Sequence, residues 1–425
     1  MDLIASKSKL NGTVAIPGSK SHTIRAVAIA SMAHGTSNIA NPLISSDTLS
    51  AVQSYKALGA SINTTNPEKW VITGTNGKIT APENAINVGN SGTTLRIAMA
   101  SAALAGPEKT ITLTGDEQIQ SRPLDALITS LNDLGASAKS VKGNDMAPVT
   151  ISGTLKGGKT TLKCITSQYL SSILLAAPLA ENDTTIDVTL LNEPDYVQVT
   201  LDWLDKQGIK YENDNFKTFH IPGRQKYTAF NTAIPADFSS ATFFLCAGAI
   251  LDANITLHNL DFSDSQPDKA VADYLKAMGA DITINKDTVH IKKSPLTGID
   301  IDMNRTPDAL PAMAVTAAFA KNPTKLYNVA QARCKETDRI ACMANELAKL
   351  GVSVEELPDG MIIHPGKISP ANLEGHGDHR IVMALSLAAM AVEGDSKIST
   401  AEAIDVTFPE FVTLMNSLGA NMQVK

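Results

Sequence analysis

Six windows with the same ending recur along the chain: "AVQSYKALGAS", "LITSLNDLGAS", "TLDWLDKQGIK", "AVADYLKAMGAD", "MANELAKLGVS" and "FVTLMNSLGAN". Their glycines, Gly59, Gly135, Gly208, Gly279, Gly351 and Gly419, are separated by 76, 73, 71, 72 and 68 residues. Such regularity means one supersecondary unit repeated six times. Each window is amphipathic: Val271, Tyr274, Leu275 and Met278 fall at i, i+3, i+4 and i+7, as do Ile340, Met343, Ala344 and Leu347. The closing glycine predicts a helix ended by a left-handed residue. In "ADITINKDTVHI", Ile282 and Ile284 and then Val289 and Ile291 flank a polar turn, which predicts a β-hairpin.

A second helix recurs at the same period and is apolar nearly all round: "SKSHTIRAVAIASMA", "NSGTTLRIAMASAALA", "TSQYLSSILLAAPLA", "DFSSATFFLCAGAIL", "PDALPAMAVTAAFA" and "GDHRIVMALSLAAMA". A helix apolar on every face is a buried one. The polar residues of interest stand just ahead of these helices, where each N-terminus carries roughly half a positive charge. Buried helices running the same way would turn one surface toward anions.

At 425 residues the chain calls for two or more domains. A net charge of −7 argues against a nucleic-acid partner. Only 8 of the 36 cationic residues are arginines, and Arg25, Arg96, Arg122, Arg333, Arg339 and Arg380 stand at predicted helix starts. Because the guanidinium fork binds carboxylate and phosphate bidentately, this placement points to a pocket for a small polyanion. Cys164, Cys246, Cys334 and Cys342 have no metal-site spacing. "MDLIASKSKL" lacks the apolar core of a signal peptide, and "IVMALSLAAMAV" is too short to span a bilayer. The expectation is a soluble, cytoplasmic protein with no membrane partner and no metal. "PGSKSHTIRA" resembles a phosphate cradle, although its lone glycine lacks the P-loop spacing. Six homologous entrances rich in Arg, Lys, Asp and Gln favour anion binding over ordinary caps.

The ordered set "PGSKSHTIRA", "GNSGTTLR", "SRPLDAL", "TSQYLSS", "DFSSATFFL", "PDALPAMA", "CKETDRI", "GDHRIVMA" and "TFPEF", running from residue 17 to 411, resembles the enolpyruvyl transferase family. The resemblance implies an α/β chain of two domains, each of three βαβαββ repeats, forming an inside-out α/β barrel fold with the active site in the interdomain cleft. Residues 1–18 and 236–425 would make the first domain and 19–235 the second. The branch most similar moves the enolpyruvyl group of phosphoenolpyruvate onto the 5-hydroxyl of shikimate 3-phosphate, releasing phosphate through a tetrahedral intermediate. It implies no cofactor and a monomer.

On the same resemblance, Asp308 is the base, Glu336 the donor of a proton to the methylene carbon, and Lys20 a further catalytic residue. Glu336 would need a desolvated carboxyl to carry a proton at neutral pH. Phosphoenolpyruvate falls to Lys20, Gly92, Arg122, Gln168, Arg339 and Arg380. Shikimate 3-phosphate falls to Lys20, Ser21, Arg25, Thr166, Ser167, Gln168, Tyr196, Asp308 and Lys335. The residues alone also allow plainer readings: Asp308, Thr166 and Ser167 as helix caps, Glu336 in a surface charge cluster, Gly92 in a turn, and His379 either structural or a cleft hydrogen-bonder. Some positions depart from the family pattern. Ile24 replaces an Asn, Gly377 an Asn and Val406 a Lys; Ile97 replaces a Pro and is expected to change the turn beside Gly92. Glu193 stands near a usual Ser, where a carboxylate would repel the acceptor's phosphate unless it turns away. Two other functions fit such a chain: transfer to UDP-N-acetylglucosamine, whose usual Cys is missing from "TGDEQIQSRP", and non-catalytic anion binding on the same fold.

Overall fold

The computed structural model describes residues 1–425, which form twelve α-helices and six four-stranded sheets. The helices are α1 (Lys20–Met32), α2 (Ser46–Ala57), α3 (Gly92–Ala102), α4 (Asp125–Asp133), α5 (Ser167–Ala176), α6 (Pro194–Lys206), α7 (Phe238–Ile250), α8 (Ala270–Ala277), α9 (Leu310–Ala317), α10 (Arg339–Lys349), α11 (His379–Met390) and α12 (Phe411–Ser417). The odd-numbered ones are the apolar copies and the even-numbered ones the amphipathic copies. None is long and apolar enough to cross a membrane.

The repeat extends to the strands. Every sheet has one plan, a parallel pair followed by two antiparallel pairings. The hairpin after α8 pairs Ile282 with Ile291 and Ile284 with Val289. Only Val289 and Ile291 are buried, because their strand is internal to the sheet whereas Ile284 lies on the exposed edge. All six repeat glycines take positive φ, from +67° at Gly208 to +107° at Gly59, where a Cβ would be strained. The six helices before them therefore end where the sequence says they should.

The chain divides into two compact units, Met1–Pro17 with Pro235–Lys425, and Gly18–Ile234. In the first, the N-terminal strands Leu3–Ser6 and Lys9–Ala15 complete sheets whose other strands lie beyond residue 250. In the second, the last strand, Asn231–Ala233, returns to pair with Thr36–Ala40. Each unit has its own apolar core. Alpha-7, α9 and α11 are buried along almost their whole length in one core and α1, α3 and α5 in the other. The amphipathic helices bury one stripe, such as Val271, Leu275 and Met278 along and just after α8, or Ile340, Met343 and Leu347 on α10. Burying a Leu, Ile or Met side chain contributes about 2 kcal/mol, so three per helix contribute about 6 kcal/mol toward docking it.

Candidate functional site

The candidate residues fall into two groups, one in each unit. In the unit Gly18–Ile234 they gather at the starts of α1, α3 and α5. Ser19 occupies the N-cap position of α1, yet its buried hydroxyl makes no cap hydrogen bond, contrary to an ordinary serine cap. Lys20 begins the helix and its ammonium lies 3.1 Å from Asp47 Oδ2, with both side chains largely buried. One turn on, Arg25 is 2 % exposed. Its Nε donates to Thr200 Oγ1 at 2.8 Å, Nη1 to the Ser21 carbonyl at 3.0 Å, and Nη2 to Ser171 Oγ at 3.3 Å and the Tyr196 carbonyl at 3.1 Å. Of five guanidinium N–H groups, one of Nη1 is left by this network. Burial lowers its pKa to about 10.

Gly92 opens α3 against two guanidinium groups. A Cβ there would lie 2.6 Å from Arg122 Nη1 and 2.8 Å from Arg96 Nη1, so any side chain at this position displaces the ends of both arginines. Gln168, in the first turn of α5, joins this group: its Oε1 accepts from Arg96 Nη1 at 2.7 Å and its Nε2 donates to Thr93 Oγ1 at 3.1 Å. Thr166 caps α5, accepting from the Gln168 N–H at 3.4 Å, so the plainer reading holds at this position as well. Glu193 does not turn away. Its carboxylate is 1 % exposed and its Oε2 accepts from Ser167 N–H at 3.2 Å, Ser167 Oγ at 2.8 Å and Thr166 Oγ1 at 3.4 Å.

In the other unit five candidates touch one another directly. Asp308 lies in the one-turn 3₁₀ segment Pro307–Ala309 ahead of α9, and its carboxylate does not cap that helix. Arg339 Nη1 donates to Asp308 Oδ1 at 2.9 Å, Arg380 Nη2 to Asp308 Oδ2 at 3.0 Å, and Lys335 Nζ lies 3.7 Å from Oδ1. Arg339 also donates to Glu336 at 2.5 Å and, through Nε, to Asp378 Oδ2 at 2.8 Å. Glu336 is thus a member of a partly buried ion network and not of a loose surface cluster. Burial works against the Arg339 charge, but Asp378, Glu336 and Asp308 outweigh it and raise its pKa. Asp378 is fully buried; that burial favours its neutral form, yet Arg339 prevails and its pKa falls below the usual carboxylate range. Asp268 is pushed up to about 6, by burial first and by the Asp308 charge second, with Arg380 opposing. His379 is pushed down to about 3 by burial, so it is neutral at ordinary pH; its buried Nε2 finds no hydrogen-bond acceptor or donor.

Three sequence expectations are corrected here. Arg333 does not open an α-helix. It lies in the 3₁₀ segment Ala330–Cys334, pairs with Asp338 and Glu356, and donates to the Leu357 and Pro358 carbonyls, so it fastens the loop carrying Lys335 and Glu336. Ile97 adjoins no turn: it is buried inside α3. Arg25 and Arg96 belong to the second turns of α1 and α3, not their starts. Gly377 has φ +64°, a left-handed backbone that Asn also accepts, so that exchange is conservative. Asp378 and Asp47 were not among the sequence-based candidates, and Arg96, read as one of the arginines of an anion pocket, was assigned to neither substrate. The first was readable in "GDHR" as the N-cap of α11, where it accepts from the Arg380 N–H at 2.9 Å. Its pairing with Arg339 joins residues 39 positions apart and left no local signal.

Residues 4–415 match the profile of EPSP synthase (3-phosphoshikimate 1-carboxyvinyltransferase). The chain is 52% identical to the 3-phosphoshikimate 1-carboxyvinyltransferase of Acetivibrio thermocellus over 98% of each sequence, and 49% identical to that of Ruminiclostridium cellulolyticum over 100% of each. Its fold superposes on EPSP synthase from Acinetobacter baumannii with a TM-score of 0.84 at 28% identity, covering 100% of both chains. The enolpyruvyl transferase NikO from Streptomyces tendae shares the fold at a TM-score of 0.76 and 18% identity, covering 99% of this chain and 98% of its own.

Proposed function

Because the chain belongs to the EPSP synthase (3-phosphoshikimate 1-carboxyvinyltransferase) family, we propose a division of its reaction between the two groups of side chains. The chain transfers the enolpyruvyl group of phosphoenolpyruvate to the 5-hydroxyl of shikimate 3-phosphate and releases inorganic phosphate. It works in the shikimate pathway, toward chorismate and the aromatic amino acids. The reaction proceeds by addition of the hydroxyl across the enol double bond and elimination of phosphate from the tetrahedral product.

In this reading Asp308 takes the proton of the 5-hydroxyl and Glu336 delivers one to the methylene carbon. The observation that carries it is the shared Arg339, bonded to both carboxylates at once. Arg339 and Arg380 are also the cations meant for phosphoenolpyruvate. Its phosphate and carboxylate compete with Asp308 and Glu336 for those guanidinium groups, so binding releases Asp308 to act as base and leaves Glu336 without its cation and beside an anion, which favours uptake from solvent of the proton it then delivers. Positioned acid–base groups of this kind contribute about 10²- to 10⁴-fold to a rate.

The other unit supplies grip. Arg122, Lys20, Gln168 and the backbone at Gly92 hold the phosphoenolpyruvate anion, for the missing Cβ lets N–H groups approach it. Ser21, Thr166, Ser167, Gln168 and Tyr196 are assigned to shikimate 3-phosphate, as are Lys335 and Asp308. Arg25 is so occupied by Ser21 and Tyr196 carbonyls that its main part is to fix those two residues. The protein acts as a cytoplasmic monomer.

The test is phosphate release from phosphoenolpyruvate, with shikimate 3-phosphate as acceptor and UDP-N-acetylglucosamine as control. Release only with shikimate 3-phosphate is expected. Release only with the sugar nucleotide would overturn the acceptor, and silence with both would overturn the catalytic reading.

A further inference from the structure

We propose that the Glu193 carboxylate is a built-in competitor of the acceptor's phosphate, holding the donors at the start of α5 until the acceptor displaces it. The inference rests on the assignment of Thr166 and Ser167 to the acceptor's phosphate.

One oxygen, Glu193 Oε2, takes the backbone N–H and hydroxyl of Ser167 and faces the Thr166 hydroxyl. These are charge-assisted bonds at a helix N-terminus, an environment that suits a carboxylate and a phosphate equally. The same donors cannot serve both, and two anions at contact distance repel. Glu193 is no flexible surface residue that happens to reach the site: it is buried, and its left-handed backbone at φ +59° is followed directly by Pro194, whose ring fixes the entry to α6. Release of the donors therefore falls to rotation of the Glu193 side chain. With the carboxylate in place an empty site keeps its buried N–H satisfied, which avoids the cost of an unmade bond. The consequence is selective. An acceptor with a phosphate must evict Glu193, whereas an acceptor without one leaves it where it is.

Glu193→Ser removes the competitor and Glu193→Gln keeps its shape without its charge. In steady-state assays the KM for shikimate 3-phosphate should fall roughly tenfold in Glu193→Ser and less in Glu193→Gln, the scale of one charge-assisted hydrogen bond. The KM for phosphoenolpyruvate and that for unphosphorylated shikimate should not move, so discrimination in favour of the phosphorylated acceptor rises. A purely structural role would shift all three together. A KM for shikimate 3-phosphate that rises or stays constant in both variants overturns the proposal. Thermal melting accompanies each protein, and if Glu193→Ser does not fold, the isosteric Glu193→Gln decides. Ser167→Ala separates the two levels of the argument. If it leaves the KM for shikimate 3-phosphate unchanged, the phosphate site itself is misassigned; if it raises that KM while neither Glu193 variant lowers it, only the competitor is refuted.

Discussion

The two units carry the same repeat but load it with opposite chemistry. In Gly18–Ile234, Arg25 and Arg96 donate to hydroxyl, carbonyl and amide oxygens, and Arg122 crowds Gly92. In the other unit Arg339 and Arg380 sit against Asp308, Glu336 and Asp378. The bonds from Arg25 to neutral oxygens fix Ser21 and Tyr196 in place, which suits binding. Guanidinium groups backed by carboxylates exchange partners when a ligand anion arrives, which suits proton transfer. A repeated fold thus supplies helix starts in equivalent places, and the side chains just ahead of them decide whether a start grips or reacts.

Substitutions can break this contrast. The largest effect should come from Asp308→Asn, which keeps the shape and removes the base. Turnover should drop by roughly 10³-fold, within the range for a positioned base, while equilibrium binding of shikimate 3-phosphate persists. Phosphate-release kinetics and calorimetric titration would read the two quantities, and near-normal turnover would remove Asp308 from the mechanism. Gly92→Ala should do the reverse. Its Cβ enters the space of two guanidinium groups, so the KM for phosphoenolpyruvate should rise by about 10- to 100-fold, the cost of overpacking a close-packed site, with kcat changed far less. If Gly92→Ala lowered kcat as deeply as Asp308→Asn, the separation of grip from chemistry would fail.

The last effect leaves activity aside, concerns stability and sharpens the comparison of the two cores. Folding depresses the His379 pKa to about 3, against an unfolded value of about 6.5. Between those values the unfolded chain holds a proton that the folded one does not, so stability is lost as pH falls through that window, by up to about 1.4 kcal/mol per pH unit. His379→Gln should flatten that loss. Thermal melts from neutral to acid pH would show it, and parallel curves for variant and wild type would refute it. Since His379 packs in only one of the two units, a resolved two-step melt should move in one step alone.

Much of the site could be read from the sequence because its residues stand at helix starts, and those follow from periodicity. Asp308, Arg339 and Arg380 were visible in this way. Arg333 looked the same and proved to be a loop fastener, since nothing local tells whether a guanidinium meets Asp338 and Glu356 or a ligand. Ile97 was judged against a turn that α3 does not contain.

By itself the sequence determined the six repeats, the buried and amphipathic helices and the left-handed glycine after each of the latter, all consequences of short-range periodicity and of the φ that only glycine takes cheaply. Tertiary structure alone decided which charges meet. Glu193 reaches Ser167 across 26 positions and Arg339 reaches Asp378 across 39. Such contacts depend on how whole helices pack, and in a buried site the identity of the nearest charge fixes whether a carboxylate competes, anchors or reacts.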